Sequence, residues 1–283
     1  MEYWTSYKGH KSNLQGKRNK YDNNIYTFDI ETTSYLILDG KQIPAINYLE
    51  LTKKEQENCI FQSNMYIWMF GINDKIYYGR TWEEFKSLLF KIDFWTEEHK
   101  KYVYVHNLAW EFQYMQNAFK FKNVFARKAR KPIMFDLIDY NFSFRCSMTM
   151  SNCALDKLPS IYKLPVEKLS GNLDYYKIRN SKTKLTEKEL AYCENDCLVV
   201  YEYIKKELER YGTLKNIPLT STGHVRNELK ELVKENWKYK WKVKRSVNVN
   251  PHVFNLLQDA FQGGYTHRQL DLYRYNCKKC NIL

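Results

Sequence analysis

An apolar run, Ile25-Tyr26-Thr27-Phe28, leads straight into two acids, Asp29 and Glu31, with Ile30 between them. Four β-branched or aromatic residues in a row, without charge, read as a buried strand. Two apart at the end of that strand, Asp29 and Glu31 point to the same side. Carboxylates sharing a face repel one another unless a cation sits between them. The feature therefore asks for a sheet, with an acidic site at the end of one of its inner strands.

Two more acids stand in related settings. Tyr102-Val103-Tyr104-Val105 reads as a second strand, and His106-Asn107-Leu108-Ala109-Trp110-Glu111 follows at a strand-to-helix junction. Asn107 suits a hydrogen bond to a sugar or phosphate, while Glu111 also fits as a first-turn helix acid favoured by the macrodipole. The clearest helix begins at Thr186-Glu-Lys-Glu189, a capping box. Leu190, Cys193, Cys197, Val200 and Ile204 carry an apolar stripe along it, and Gly212 stops it. Tyr192 and Asp196 lie at i and i+4 on one face of this helix. Four carboxylates delivered by two strand ends and a helix are hard oxygen donors of the kind Mg²⁺ takes. Two such ions about 3.5–4 Å apart activate a water and hold the leaving oxygen of a phosphodiester. A phenol with a pKa near 10 is a poor base at neutral pH, so Tyr192 is assigned to positioning the water.

The charge agrees with that chemistry. Among 283 residues, 45 Lys+Arg face 32 Asp+Glu, a net charge of +13 that suits a polyanionic partner. An A+T-biased coding sequence would give the same Lys-, Asn- and Ile-rich make-up, so charge supports nucleic acid without establishing it. No apolar run reaches the ~18–20 residues of a membrane span, and the N-terminus lacks a signal-peptide core. Seven scattered Cys fit reduced thiols in a cytoplasmic protein. Cys277-Lys-Lys-Cys280 has zinc-knuckle spacing but no second ligand pair nearby.

Along the chain, residues 1–24 read as a basic N-terminal arm and 25–30 as the first strand. Residues 35–64 read as an insertion, and 65–72 with 75–79 as a strand pair turning at Asn73-Asp74. Helices are expected over 82–91 and 110–119, one or two strands over 135–150, and a short helix over 155–164. Residues 213–283 form a basic, aromatic-rich extension. In it, Trp237-Lys-Tyr-Lys-Trp-Lys-Val-Lys244 alternates as a strand would, either pressing Lys onto phosphates or guarding a sheet edge. The expected class is α/β, a mixed sheet flanked by helices.

Taken in order, the three acidic motifs resemble the Exo I, Exo II and Exo III motifs of the DnaQ-like 3′→5′ exonucleases. Tyr192-Cys-Glu-Asn-Asp196 is similar to the subtype with Tyr in the third motif. Ala154-Leu155-Asp156-Lys157-Leu158-Pro159 resembles the (Ser/Thr)-Leu-x-x-hydrophobic motif of protein-primed family B DNA polymerases of phages and linear plasmids. Leu169-Ser-Gly-Asn-Leu-Asp-Tyr175 resembles their Lys-Gly-Asp-x-Asp-Tyr segment, and Phe261-Gln-Gly263-Gly264-Tyr265 their Tyr-x-Gly-Gly motif.

The resemblance implies a ribonuclease H-like exonuclease domain over 25–212 and a link toward a polymerase palm domain over 213–283. It implies two ions, Mg²⁺ or Mn²⁺. Asp29 would bridge both, Glu31 and Asp196 would hold the one binding the nucleophilic water, and Glu111 would support the second. Thr32, His106, Asn107, Tyr114, Leu155 and Tyr175 would grip a single-stranded DNA 3′ end, and Gly263 and Gly264 would touch template in primer-template DNA. Terminal protein and a palm domain, on the same or a separate chain, are the implied protein partners. The sequence departs from the pattern at Glu111, where Asp is usual, at Ala154, where Ser or Thr is usual, and at Ser170, where a phosphate-facing Lys is usual. Lys168 and Lys177 are the candidates to replace that Lys. Polymerase signatures are missing, which fits either a fragment of a longer polymerase or one product of a split gene.

Overall fold

The acid-bearing strand is β2 (Tyr26–Leu38), and its two faces explain the layers around it. Tyr26, Phe28 and Ile30 enter one apolar cluster, while Thr27, Asp29 and Glu31 alternate to the other face. β2 lies inside a mixed sheet of nine strands among the described residues. Its order is β1 (Glu2–Tyr3), β5 (Lys75–Gly79), β4 (Ile60–Ile72), β2, β6 (Lys101–Val105), β9 (Phe142–Cys146), β8 (Lys131–Leu137) and β7 (Phe121–Lys128). β3 (Lys41–Pro44) pairs with the far half of β2. β4 runs antiparallel to β2, whereas β6 and β9 run parallel to it.

This computed structural model describes residues 1–14, 20–169 and 173–235, with positions 250, 252, 253, 255 and 256. The chain divides into two units, Met1–His224 and Val225–Leu283. In the first, α2 (Trp82–Trp95) and α3 (Leu108–Met115) cover one face of the sheet through Phe85, Leu88, Leu89, Ile92, Leu108 and Met115, all fully buried. Phe28 stacks on Phe85 with ring centroids 4.7 Å apart. The opposite face is covered by α5 (Leu158–Tyr162) and the long α6 (Glu187–Tyr211). Val199, Val200, Tyr203 and Ile204 of α6 meet Tyr102 and Tyr104, and Cys193 and Cys197 meet Ile67 and Met69. In the second unit the described residues comprise the end of α7 (Ser221–Glu235) and the few positions after it.

Several expectations change in detail. β2 runs past residue 30 to Leu38 because the 35–64 segment is structured: it prolongs the β2–β4 ribbon and adds β3 and α1 (Lys53–Asn58). Residues 135–150 yield the end of β8, β9 and a short helix, α4 (Ser147–Ser151). The basic arm is packed rather than free: Glu2–Tyr3 pairs in parallel with β5, and Tyr7, Asp22, Asn23 and Asn24 are buried. Asp22 accepts from the Tyr26 hydroxyl at 2.5 Å and from the backbone of Asn13 and Asn24. The first unit also continues beyond Gly212 to His224, because Leu214 and Ile217 are buried in the α6 cluster. The strand expected over 237–244 lies outside the described residues, as do Cys277 and Cys280. The five described cysteines, Cys59, Cys146, Cys153, Cys193 and Cys197, are free thiols. No helix of the described residues is long and apolar enough to cross a membrane.

The capping box on α6 forms as the sequence predicts. Thr186 Oγ1 accepts from Glu189 N at 3.2 Å, and Glu189 Oε2 accepts from Thr186 N at 2.8 Å. Gly212 closes the helix in the left-handed region at φ 75°. Thr186→Ala removes the cap and is expected to cost about 1 kcal/mol. That is a drop of roughly 2–4 °C in melting temperature for a domain of this size. An unchanged melting curve would mean that the Arg179–Glu189 ion pair alone secures the helix start.

Candidate active site

The alternation of β2 and the pitch of α6 bring the first acids together. Asp29 and Glu31 project from the face that α6 covers, and Asp196 projects from α6 toward them. One carboxylate oxygen from each of Asp29, Glu31 and Asp196 lies within 4.8 Å of the other two. The strand pairing slips at this point. Glu31 opposes Ile67 and Thr32 opposes Met65, so Tyr66 is the extra residue of a β-bulge. Such a bulge re-aims side chains at the edge of a site.

Glu111 comes from the first turn of α3 and is 2% exposed. It stands outside the 4.8 Å cluster, yet its charge raises the Asp29 pKa, and that of Glu31 raises its own. Its Oε2 is buried and has no hydrogen-bond partner. Burial, followed by the charges of Glu31, Asp196 and Glu111, pushes the Asp29 carboxyl well above the usual carboxylate range. Burial and Asp196 push Glu31 up to about 7. Burial also raises Asp196 and Glu111. Four acids thus face one another with their negative charge largely uncompensated, which is costly away from water.

Two basic residues temper that charge. Lys168 donates to Asp196 Oδ1 and lies 3.9 Å from the centroid of the Tyr192 ring. Burial would lower its pKa, but the hydrogen bond and charge of Asp196 raise it, so the ammonium stays charged. Of the two lysines named as replacements at Ser170, Lys168 enters the site and Lys177 is exposed. Ser170 itself lies outside the described residues. Arg179 is buried and reaches Glu189 Oε1 through Nη2 at 2.6 Å and Nε at 3.0 Å, and its charge lowers the Glu31 pKa. Nothing local in the sequence marks Arg179: its role comes from Glu189, which also caps α6.

The remaining sequence-derived residues divide. Thr32 sits at the bulge and is half-buried. Tyr114 packs against the core, with its hydroxyl 2.6 Å from Ser63 Oγ. Asn107 is exposed and left-handed (φ 65°), a conformation Asn tolerates, and it leads into α3. His106 places Nδ1 3.2 Å from Ser147 Oγ, and burial holds its pKa down at about 4, so the ring is neutral at pH 7. Leu155 begins a 3₁₀ turn and packs against the α6 cluster. Tyr175 is 69% exposed. Gly263 and Gly264 lie outside the described residues. Burial raises the Tyr192 phenol further, so it is a proton donor at neutral pH rather than a base.

The donor set fits divalent cations. All four groups are oxygen donors, an orphaned buried carboxylate oxygen on Glu111 borders the cluster, and among the described residues no Cys or His joins it. Four carboxylates and one ammonium sum to −3, which two divalent ions would offset.

No protein-family model matches the chain, and no curated protein matches its sequence. Solved structures do match. Phi29 DNA polymerase complexed with single-stranded DNA aligns with a TM-score of 0.52 and 18% identity, over 75% of this chain and 35% of that one. The same polymerase with primer-template DNA and incoming nucleotides aligns with a TM-score of 0.52 and 17% identity, over 76% and 36%. This chain therefore spans about a third of that polymerase's length. At such identity the likeness is one of fold: a mixed α/β sheet flanked by helices, shared with part of a DNA polymerase.

Proposed function

We propose that the chain is a metal-dependent 3′→5′ DNA exonuclease, the proofreading domain of a protein-primed family B DNA polymerase. The observation that carries this reading is the convergence of Asp29, Glu31 and Asp196 within 4.8 Å, with Glu111 buried beside them. Asp29, Glu31, Asp196 and Glu111 would hold two Mg²⁺ or Mn²⁺ ions. When bound, such ions supply Lewis acidity, making hydroxide from water and stabilising the leaving oxygen. The protein's own groups do the rest. The Tyr192 hydroxyl orients the attacking water, and Lys168 fixes the Asp196 carboxylate and faces the phosphate as negative charge grows on it. Thr32, His106, Asn107, Tyr114, Leu155 and Tyr175 would seat the single-stranded 3′ end. The product is a deoxynucleoside monophosphate. The likeness to a polymerase seen with single-stranded and primer-template DNA supports DNA as the partner.

Tyr192→Phe tests the water-positioning role. Cleavage should slow about 10- to 100-fold, less than the roughly 10²–10⁴-fold that a proton-transferring group contributes, because the phenol positions the water without deprotonating it. Metal binding, read by calorimetry, should persist. Full activity in the variant would remove Tyr192 from the mechanism. A single-stranded DNA and an RNA of the same sequence, offered side by side, test the substrate: DNA should be degraded faster, and the reverse preference would indicate an exoribonuclease.

A second reading rests on Glu111 standing outside the three-residue cluster, with Ala154 where a hydroxyl is usual. On that reading the chain binds single-stranded DNA or terminal protein and cleaves weakly. Metal binding and DNA binding with no shortening of the strand would favour it.

A further inference from the structure

The β7–β8 hairpin plays no part in the acidic site, yet its composition is extreme. From Gln113 to Phe135 the sequence has no acid, while Lys120, Lys122, Arg127, Lys128, Arg130 and Lys131 are all basic. Residues 122–131 are exposed throughout. None of the six cations makes an ion pair among the described residues, and Asp136, lower on β8, is already held by Lys100 at 2.9 Å and by Asn123. Phe125, 53% exposed, offers an aromatic face beside them.

The register places this charge at the end of the sheet where the acids lie. Thr27, Tyr104, Arg145 and Met134 share one level across β2, β6, β9 and β8. Counting two residues further along each strand, past the last pairs of β2–β6 and β8–β9, brings Asp29 level with Pro132, which pairs with Ala126 of β7. Arg127, Lys128, Arg130 and Lys131 therefore stand beyond the level of Asp29, by roughly 3–7 Å at the usual rise per residue. β8 and β7 are three and four strands away from β2, or roughly 14–19 Å at the usual strand spacing. At the duplex spacing of one phosphate per 3.4 Å of strand, that distance is about four to six nucleotides.

We propose that the tip of this hairpin, Arg127, Lys128, Arg130 and Lys131 with Phe125 beside them, is a phosphate-gripping surface for the strand whose 3′ end enters the acidic site. The proposal rests on the exonuclease reading for which end of the strand lies at Asp29. The grip itself is a matter of charge. Unpaired cations on an exposed edge strand release counterions when phosphates dock, and Phe125 gives a base a surface to stack on. Edge strands also carry Lys simply to block sheet-to-sheet pairing, and the bulged register of β7 already serves that purpose. Any charge sign satisfies an edge guard, whereas a phosphate grip needs positive charge, so charge reversal separates the two.

The test uses the full chain with a labelled single strand in EDTA, so that binding is read without cleavage. The set Arg127→Glu, Lys128→Glu, Arg130→Glu and Lys131→Glu should flatten the slope of log K against log[salt] by about 3, close to 0.7 per lost phosphate contact. Affinity at low salt should fall by about tenfold or more. An unaltered slope and affinity would overturn the proposal. A second measurement avoids any folding question: with the unaltered protein, affinity should rise sharply from a dinucleotide to a strand of about six nucleotides. Equal affinity for both lengths would also overturn it. Length and salt dependence without cleavage would refute the exonuclease and leave the grip standing. Cleavage with no salt or length effect would do the reverse.

Discussion

Asp29→Ala combined with Glu31→Ala should abolish cleavage, lowering the rate by at least about 10³-fold, as expected when the several kcal/mol of metal-ion stabilisation are lost. Single-strand binding should survive, because the aromatic and basic contacts proposed for the strand lie on other residues. The same double variant carries a second, less obvious expectation. Asp29 and Glu31 are held against one another and against Asp196 with their carboxyl pKa values raised. Removing both should therefore make the metal-free protein more stable, not less, and should erase the rise in melting temperature on adding Mg²⁺. Calorimetric melts with and without Mg²⁺ give this directly. A variant that is destabilised when metal-free, or that still responds to Mg²⁺, would show that these residues hold the fold rather than an ion.

The second large effect is the pH dependence of stability. A carboxyl group whose pKa is raised on folding binds more protons in the native state than in the unfolded chain. Stability then falls as pH rises through the interval between the two values. For Glu31 that interval runs from near 4.5 to about 7, and Asp29, Asp196 and Glu111 shift in the same direction. The Glu31 shift alone corresponds to roughly 3–3.5 kcal/mol of stability lost by pH 8, or about 7–14 °C. His106, held down at about 4, acts in the opposite sense between there and 6.5, but it contributes equally with and without metal. The rise in melting temperature on adding Mg²⁺ should accordingly be several degrees larger at pH 8 than at pH 5.5. An equal rise at both values would mean that the acids are not the ligands.

How much of this could be read from sequence depends on how local each signal is. The strand at Ile25–Phe28 and its two acids stand out because the residues are contiguous and the period-2 alternation fixes their side. The Thr186–Glu189 cap and the α6 stripe are likewise short-range. Thr52–Glu55 and Thr81–Glu84 carry the same capping pattern, and both form boxes, so α1 has a short-range signal that the reading of 35–64 as an insertion passes over. β7 was not: seven of its eight residues are exposed, so no apolar alternation marks it. The packing of residues 1–14 and 20–24 was hidden for a different reason. Polar and basic residues there are buried through Asp22, His10 and Tyr26, whose partners are set by the fold. Lys168 and Arg179 are long-range in the same sense: each acts through a residue of α6, 28 and 10 positions away.

The most direct test of the central claim is a time course on a 5′-labelled single-stranded DNA oligonucleotide with Mg²⁺ or Mn²⁺, with EDTA in the control. The expected result is a metal-dependent ladder of products shortened one nucleotide at a time from the 3′ end, absent in EDTA. An oligonucleotide that stays intact with either metal, while a gel shift shows it bound, would contradict the exonuclease and identify a DNA-binding module.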